Sequence, residues 1–464
     1  MSQLDLARLQ FAMTSIYHFL FVPVTIGLSF LTAVLQSVWY KSGRDEYLRL
    51  TRFFGTLLVI NVAVGVVTGL VQEFQFGMDW STYSRTVGDV FGAPLAMEGL
   101  AAFFLESTFL GLWLFGWDKL SRRVHLATIW AVAVGGALSA AFIMAANSWM
   151  QHPVGYTINK STGRPQMDDI WAVLTNPVFL RGYLHVLLAS LTTAAAVMLA
   201  IAAWQLRRGS APEVFRPAAR LALVVLAPSL LLAMVVGSEL GVTEDKYQPM
   251  KIAASEAQWQ TCQPCSFSLF QIGGGNNDHD PTKIIEIPHL LSLLATNSWN
   301  GKVDGLDDVQ SQYVKQYGSG NYVPNVFIQY WAMRVMAYSA GLLFLVSLWG
   351  LWLLHRRRLA TSTWFLRLAV WVAVLPFLMN TAGWVLTENG RQPWIVQGIQ
   401  LTKDGVSPSV STAQVAFSII TFFLLYAALA VVAVILMSKY ARREIAPAPV
   451  SETDEPAVVP AMTY

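Results

Sequence analysis

The stretch that decides the fold is Gly383–Trp394, GWVLTENGRQPW. An apolar run of membrane length ends here in a carboxylate, a turn, a guanidinium, a proline and a tryptophan. Gly390 and Pro393 predict a helix that stops in a fixed shape rather than fraying. Glu388 and Arg391 are three residues apart, close enough to sit together at a membrane boundary. A charge near membrane depth is costly and marks a functional site by default. An interfacial helix end anchored by Trp and Arg would read the same way, so the decision falls to the other polar residues in the apolar runs.

Working outward, 55% of the 464 residues are hydrophobic and only 13% charged, against about 25% charged in soluble domains. Seventeen Trp residues suit the aromatic belts of a polytopic membrane protein. A net charge of +3 is too small to point to nucleic acid, and two Cys exclude a disulfide-rich scaffold. Nine runs are long enough to span a bilayer: 13–39, 53–72, 94–116, 125–147, 181–205, 219–238, 328–353, 366–387 and 411–437. Eighteen of the 31 Lys and Arg residues fall in the short segments after the odd-numbered runs. The positive-inside rule makes that side cytoplasmic, with the N-terminus outside and the C-terminus inside. The expectation is therefore an all-α polytopic membrane protein. Residues 1–238 hold six helices, 239–327 one long extracytoplasmic loop, 328–443 three more helices, and 444–464 a disordered cytoplasmic tail. No A-x-A cleavage pattern follows the first run, which predicts a retained helix.

The loop contains the segment Tyr247–Gln260, whose apolar spacing predicts a short amphipathic helix. Lys251 and Glu256 lie roughly 140° apart around such a helix and do not form an i, i+4 pair; taken alone, they read as a solvated helix face. The pair Cys262 and Cys265 lacks the partners of a zinc site or the His of a haem-attachment motif. On an oxidising side it is expected to be a structural disulfide.

Polar residues inside the spans carry the chemistry. His18 lies in the first span, and Glu98 and Glu106 in the third, about 80° apart on an α-helix. Ser139 and Asn147 lie in the fourth, His185 opens the fifth, and Arg334 and Met336 open the seventh. His18, His185, Met336 and Glu388 all fall near the outer helix ends. Haem iron accepts His, and Met paired with His. Spacing alone fits haem ligation and also structural packing, and intramembrane acids also suit an ion-coupled transporter. A transporter would explain Glu98 and Glu106 but not His185 with Met336. The remaining histidines, His125, His152, His279, His289 and His355, sit at loops or helix ends and are read as structural.

Several long segments carry a family resemblance: Arg8–Leu28, Gly65–Trp80, Tyr83–Asp118, NSWMQHPVG at Asn147–Gly155, KIAASEAQW at Lys251–Trp259, and Ala382–Trp394. Along essentially its whole length the chain resembles subunit I of the bd-type quinol oxidases, in the form with the short quinol loop. The resemblance implies that His18 ligates one haem of the oxygen-reducing pair, haem d or the high-spin haem b, and Glu388 the other. It implies that His185 and Met336 are the axial ligands of a low-spin haem b. Lys251 and Glu256 match the quinol-loop residues, which replaces the solvated reading. Glu98 and Glu106 match acids on the proton route, with Ser139 grouped beside them. Arg391 would neutralise haem propionate charge, a task suited to a permanently charged guanidinium. Thr381 stands where some members place a second acid. The resemblance further implies a second large subunit, small single-helix accessory subunits, menaquinol or ubiquinol as reductant, O2 as oxidant, and a bacterial cytoplasmic membrane, with no nucleic acid.

Overall fold

The structure, a computed structural model, describes residues 1–445; the expected disordered tail lies outside the described residues from 446 onward. Among the described residues nine helices are long and apolar enough to cross a membrane. They are α1 Gln3–Ser42, α2 Asp45–Met78, α3 Ser81–Phe115, α4 Arg122–Gln151, α5 Pro177–Arg207, α6 Pro212–Tyr247, α7 Val326–His355, α8 Thr363–Gly390 and α9 Thr412–Ala441. The expected spans lie within or close to these helices, and most helices run further. Hydropathy stops counting at the first charges, whereas backbone hydrogen bonds continue through them. Thus α3 starts at Ser81 rather than 94, since Arg85 and Asp89 interrupt the apolar run but not the helix. Likewise α6 continues beyond 238 to Tyr247.

Local sequence sets the ends. Ser2 and Asp5 form a capping box at the start of α1, and Gly43 closes it in the left-handed region at φ 67°. Asn176 caps α5 ahead of Pro177, Asn325 caps α7, and Ser411 with Gln414 repeats the capping box on α9. In α3 the residues Glu98–Phe103 make a π-helical turn.

The bundle is built on α1, α5 and α6. Small side chains let these helices approach closely: a Cβ at Gly27 would collide with the Ser190 carbonyl of α5. Ala194, Ala195, Ala202 and Ala203 of α5 and Ala218, Ala219 and Ala222 of α6 belong to the same core. In α5, 67% of the apolar window is buried, against 11% in α3 and in α9, which lie at the rim.

Between α6 and α7 the chain folds into an ordered layer. The expected amphipathic helix is shorter than Tyr247–Gln260: it runs Pro249–Ser255 and ends as Ala257 takes φ 46°. A hairpin pairs Phe267–Ile272 with Thr282–Ile287, turned by the Gly-rich segment in which Gly273 and Gly274 have positive φ. Two helices follow, Leu290–Thr296 and Leu306–Tyr317. Cys262 and Cys265 form the expected disulfide, and Cys262 pairs with Val303 across the layer.

Candidate functional site

Three side chains singled out in the sequence share one local design. On α1, His18 Nδ1 lies 2.9 Å from the Thr68 hydroxyl oxygen of α2. That hydroxyl has the Val64 and Gly65 carbonyls as acceptors at 3.1 and 2.9 Å, so its oxygen is left to accept the Nδ1–H. On α5, His185 Nδ1 donates to the Ala233 carbonyl of α6 at 3.0 Å. Both rings therefore present a bare Nε2, the state in which imidazole binds a metal. Each ring also lies against a glycine. A Cβ at Gly69 would come within 3.1 Å of His18 Cε1, and one at Gly237 within 3.0 Å of His185 Cε1. Met336 on α7 repeats the pattern, since a Cβ at Gly383 of α8 would stand 3.2 Å from its sulfur.

The opening stretch completes the C-terminal end of α8. Glu388 and Arg391 form an ion pair, and Asn147 Nδ2 of α4 donates to the other Glu388 oxygen at 2.8 Å. A carboxylate keeps further lone pairs beyond those two contacts, and 35% of the Glu388 side chain is open. Arg391 is 5% exposed, yet among the described residues its buried Nε has no hydrogen-bond partner. A buried unpaired donor is uncommon and suits an anionic group. Two bare imidazole nitrogens, a thioether, a carboxylate and a spare guanidinium donor fit the axial ligation and propionate binding of haem. Among the described residues no group of three or more His, Cys, Asp or Glu could hold a metal ion unaided.

The loop charges are sealed. Lys251 is 1% exposed and donates to Gln151 Oε1 at 2.5 Å and to Glu244 Oε1 at 2.9 Å. Its stem crosses Gly390, where any Cβ would collide with it. Gln151 donates in turn to Asn147 Oδ1 at 2.8 Å, so side-chain hydrogen bonds connect Lys251 to Glu388. Glu256 is 4% exposed and takes both ends of the Arg334 guanidinium, Nη2 at 2.6 Å and Nη1 at 3.3 Å. Arg334 also donates to the Ser255 and Ser268 carbonyls. Burial pulls the Lys251 amine down, with Glu244 opposing it, and pushes the Glu256 carboxyl up, with Arg334 opposing it. The two residues face different helices, Glu256 from just past the end of the short helix, and neither lies on a solvated face.

The acids of α3 form a second cluster. Ser139 Oγ of α4 donates to Glu98 Oε1 at 2.7 Å. Gly136 leaves room for the Glu106 carboxyl, which lies 3.6 Å from where a Cβ would be. The π-helical turn acts like one inserted residue, which brings Glu98 and Glu106 from about 80° to about 20° apart around the axis. Glu98 lies close enough to Glu106, and to Glu73 of α2, for their charges to interact.

The cytochrome bd terminal oxidase subunit I family model matches residues 6–445. The chain belongs to that family. It is 42% identical over 440 residues to cytochrome bd ubiquinol oxidase subunit 1 of Bacillus subtilis, covering 94% of this chain and 93% of the relative. It is 36% identical to cytochrome bd-II ubiquinol oxidase subunit 1 of Escherichia coli, covering 95% and 96%. The solved bd oxidase from Geobacillus thermodenitrificans superposes with a TM-score of 0.87 at 30% identity, over 95% of this chain and 99% of that one. This bd oxidase subunit is thus a multi-pass protein of a bacterial membrane and a respiratory oxidoreductase.

Four residues of these clusters went unassigned in the sequence. Glu73 lay just past the expected end of the second span at 72, although α2 continues to Met78. Its signal is a lone acid within the EFQFG motif. Arg334 was noted without a role, and its partner Glu256 is 78 residues away. Gln151 and Glu244 carry no pattern that marks them before the helices are packed.

Proposed function

We propose that this chain is the haem-carrying subunit of a terminal oxidase that oxidises quinol on the outer side and reduces O2 to water with cytoplasmic protons. The membrane is then charged by the placement of the two half-reactions, without a pump. The observation that carries this reading is the repeated cradle at His18, His185 and Met336, each facing a glycine of a neighbouring helix. The orientation follows from the basic segments, which put the N-terminus and the loop outside.

His185 Nε2 and Met336 Sδ would together hold a low-spin haem b. His18 Nε2 and Glu388 would each hold one haem of the oxygen-reducing pair, haem d and a high-spin haem b, in either assignment. When bound, haem would supply electron transfer and the reduction of oxygen. Arg391 would offer its spare Nε–H to a haem propionate. Glu73, Glu98 and Glu106 hold protons on the path to the oxygen site, with Ser139 fixing the orientation of Glu98. Lys251 and Glu256 shape the quinol loop from beneath through their buried partners. Quinol, ubiquinol or menaquinol, is the reductant. Subunit II forms the heterodimer, with small single-helix subunits as further partners. An exposed carboxylate at Glu73 would cost on the order of 2–3 kcal/mol against lipid, so we assign the α2–α3 edge to subunit II.

A reduced-minus-oxidised spectrum of the purified complex tests the reading. Met336→Leu should convert one haem to a high-spin, ligand-accessible form while the other two remain. An unchanged low-spin spectrum removes Met336 from the site, and the absence of haem bands in the unaltered complex removes the whole reading.

A further inference from the structure

Lys251 and Glu256 are 1% and 4% exposed, and both are paired, so neither offers a free group at the surface. The opening beside them lies elsewhere. A cavity of about 390 Å³ sits where the outer ends of α4 and α6 meet the helix Leu306–Tyr317 and the turn after α8. Its walls include Gln151, His152, Tyr247, Tyr313, Tyr317 and Gln397.

The lining suits a flat, hydroxylated ring. His152 stacks on Tyr247 at 3.9 Å between centroids. Tyr313 and Tyr317 meet edge to face at 5.5 Å. Gln397 Nε2 donates to the Tyr313 hydroxyl at 3.3 Å and keeps a second N–H free to donate. Among the described residues neither ring nitrogen of His152 has a hydrogen-bond partner. Burial, with Lys246 nearby, holds that imidazole below its ordinary value. It is neutral at working pH and presents one acceptor nitrogen. Gln151, on the wall, carries Lys251 on its side-chain oxygen, which links the cavity to the buried loop charges. The volume falls in the range of about 300–1,000 Å³ found for small-molecule clefts.

We propose that this cavity receives the quinol head, its ring among the His152, Tyr247, Tyr313 and Tyr317 rings, with one hydroxyl donating to His152 and the other oxygen facing the Gln397 amide. The assignment rests on quinol being the reductant. His152, read from sequence as structural, becomes a binding residue, while Lys251 and Glu256 become supports of the site rather than its surface.

The test uses the intact oxidase complex with menadiol and duroquinol, and tetramethylphenylenediamine as a donor that needs no quinol site. His152→Phe keeps the stacked ring and removes the acceptor. Gln316→Trp adds bulk at the rim, where Gln316 lines the cavity and is exposed. His152→Phe should raise KM for both quinols about fivefold, the effect of one lost hydrogen bond, and Gln316→Trp should raise it at least as much. Oxygen consumption from tetramethylphenylenediamine should hold. Wild-type KM values in both variants overturn the cavity assignment, as does equal loss with all three donors. If the unaltered complex oxidises neither quinol, the functional reading itself fails instead.

Discussion

Carboxylates live under opposite regimes in two regions of this molecule. Beside α7, Glu256 is clasped by Arg334, and nearby Lys251 is clasped by Glu244, each pair with supporting amide or carbonyl groups. In α2 and α3, Glu73, Glu98 and Glu106 lie near one another, and among the described residues none has a cationic partner. A neutralised, fully hydrogen-bonded pair is a fixed joint, since removing either charge strands the other. Clustered acids without a cation compete for protons, and such groups can pass them on. The same residue type thus holds the loop in shape at one place and stands without a counter-charge among the described residues at the other.

The contrast can be broken most forcefully at the joint. Glu256→Ala strands the buried guanidinium of Arg334 and should cost about 3–5 kcal/mol. It should appear as a large drop in thermal midpoint and early proteolysis of the loop. Glu98→Gln should leave both near wild type. Equal losses in the two variants would erase the distinction.

A smaller effect, in rate rather than stability, belongs to the acid cluster. Glu106→Gln keeps the shape of the side chain and cannot ionise. Turnover should slow by about a hundredfold, the scale of a lost acid–base group, at unchanged haem content. Steady-state oxygen consumption per haem measures it, and wild-type rates would take Glu106 off the proton route.

The smallest change sharpens the comparison from within the cluster. Ser139→Ala deletes the 2.7 Å hydrogen bond to Glu98, a contact of about 1 kcal/mol. Turnover should fall only a few-fold, because Glu98 keeps its carboxyl group and its acidic neighbours. A loss as large as that of Glu106→Gln would make Ser139 itself part of the proton path.

By itself the sequence determined the nine spans, the position of the long loop and the disulfide pair, because hydropathy and close residue spacing are written in neighbouring letters. It also marked His18, His185, Met336 and Glu388 as polar residues near one depth. Through the motifs around them it marked the family. Tertiary structure decided what those residues do to one another. Thr68 and Ala233 fix which imidazole nitrogen is bare. Gly390 lets the Lys251 stem cross, Glu256 finds Arg334 across 78 residues, and a π-helical turn draws Glu98 and Glu106 together. Glu73 escaped because hydropathy ended its span one residue too early. The physical reason is shared: burial follows from local composition, whereas a hydrogen-bond partner or a charge neighbour exists only after distant helices have packed.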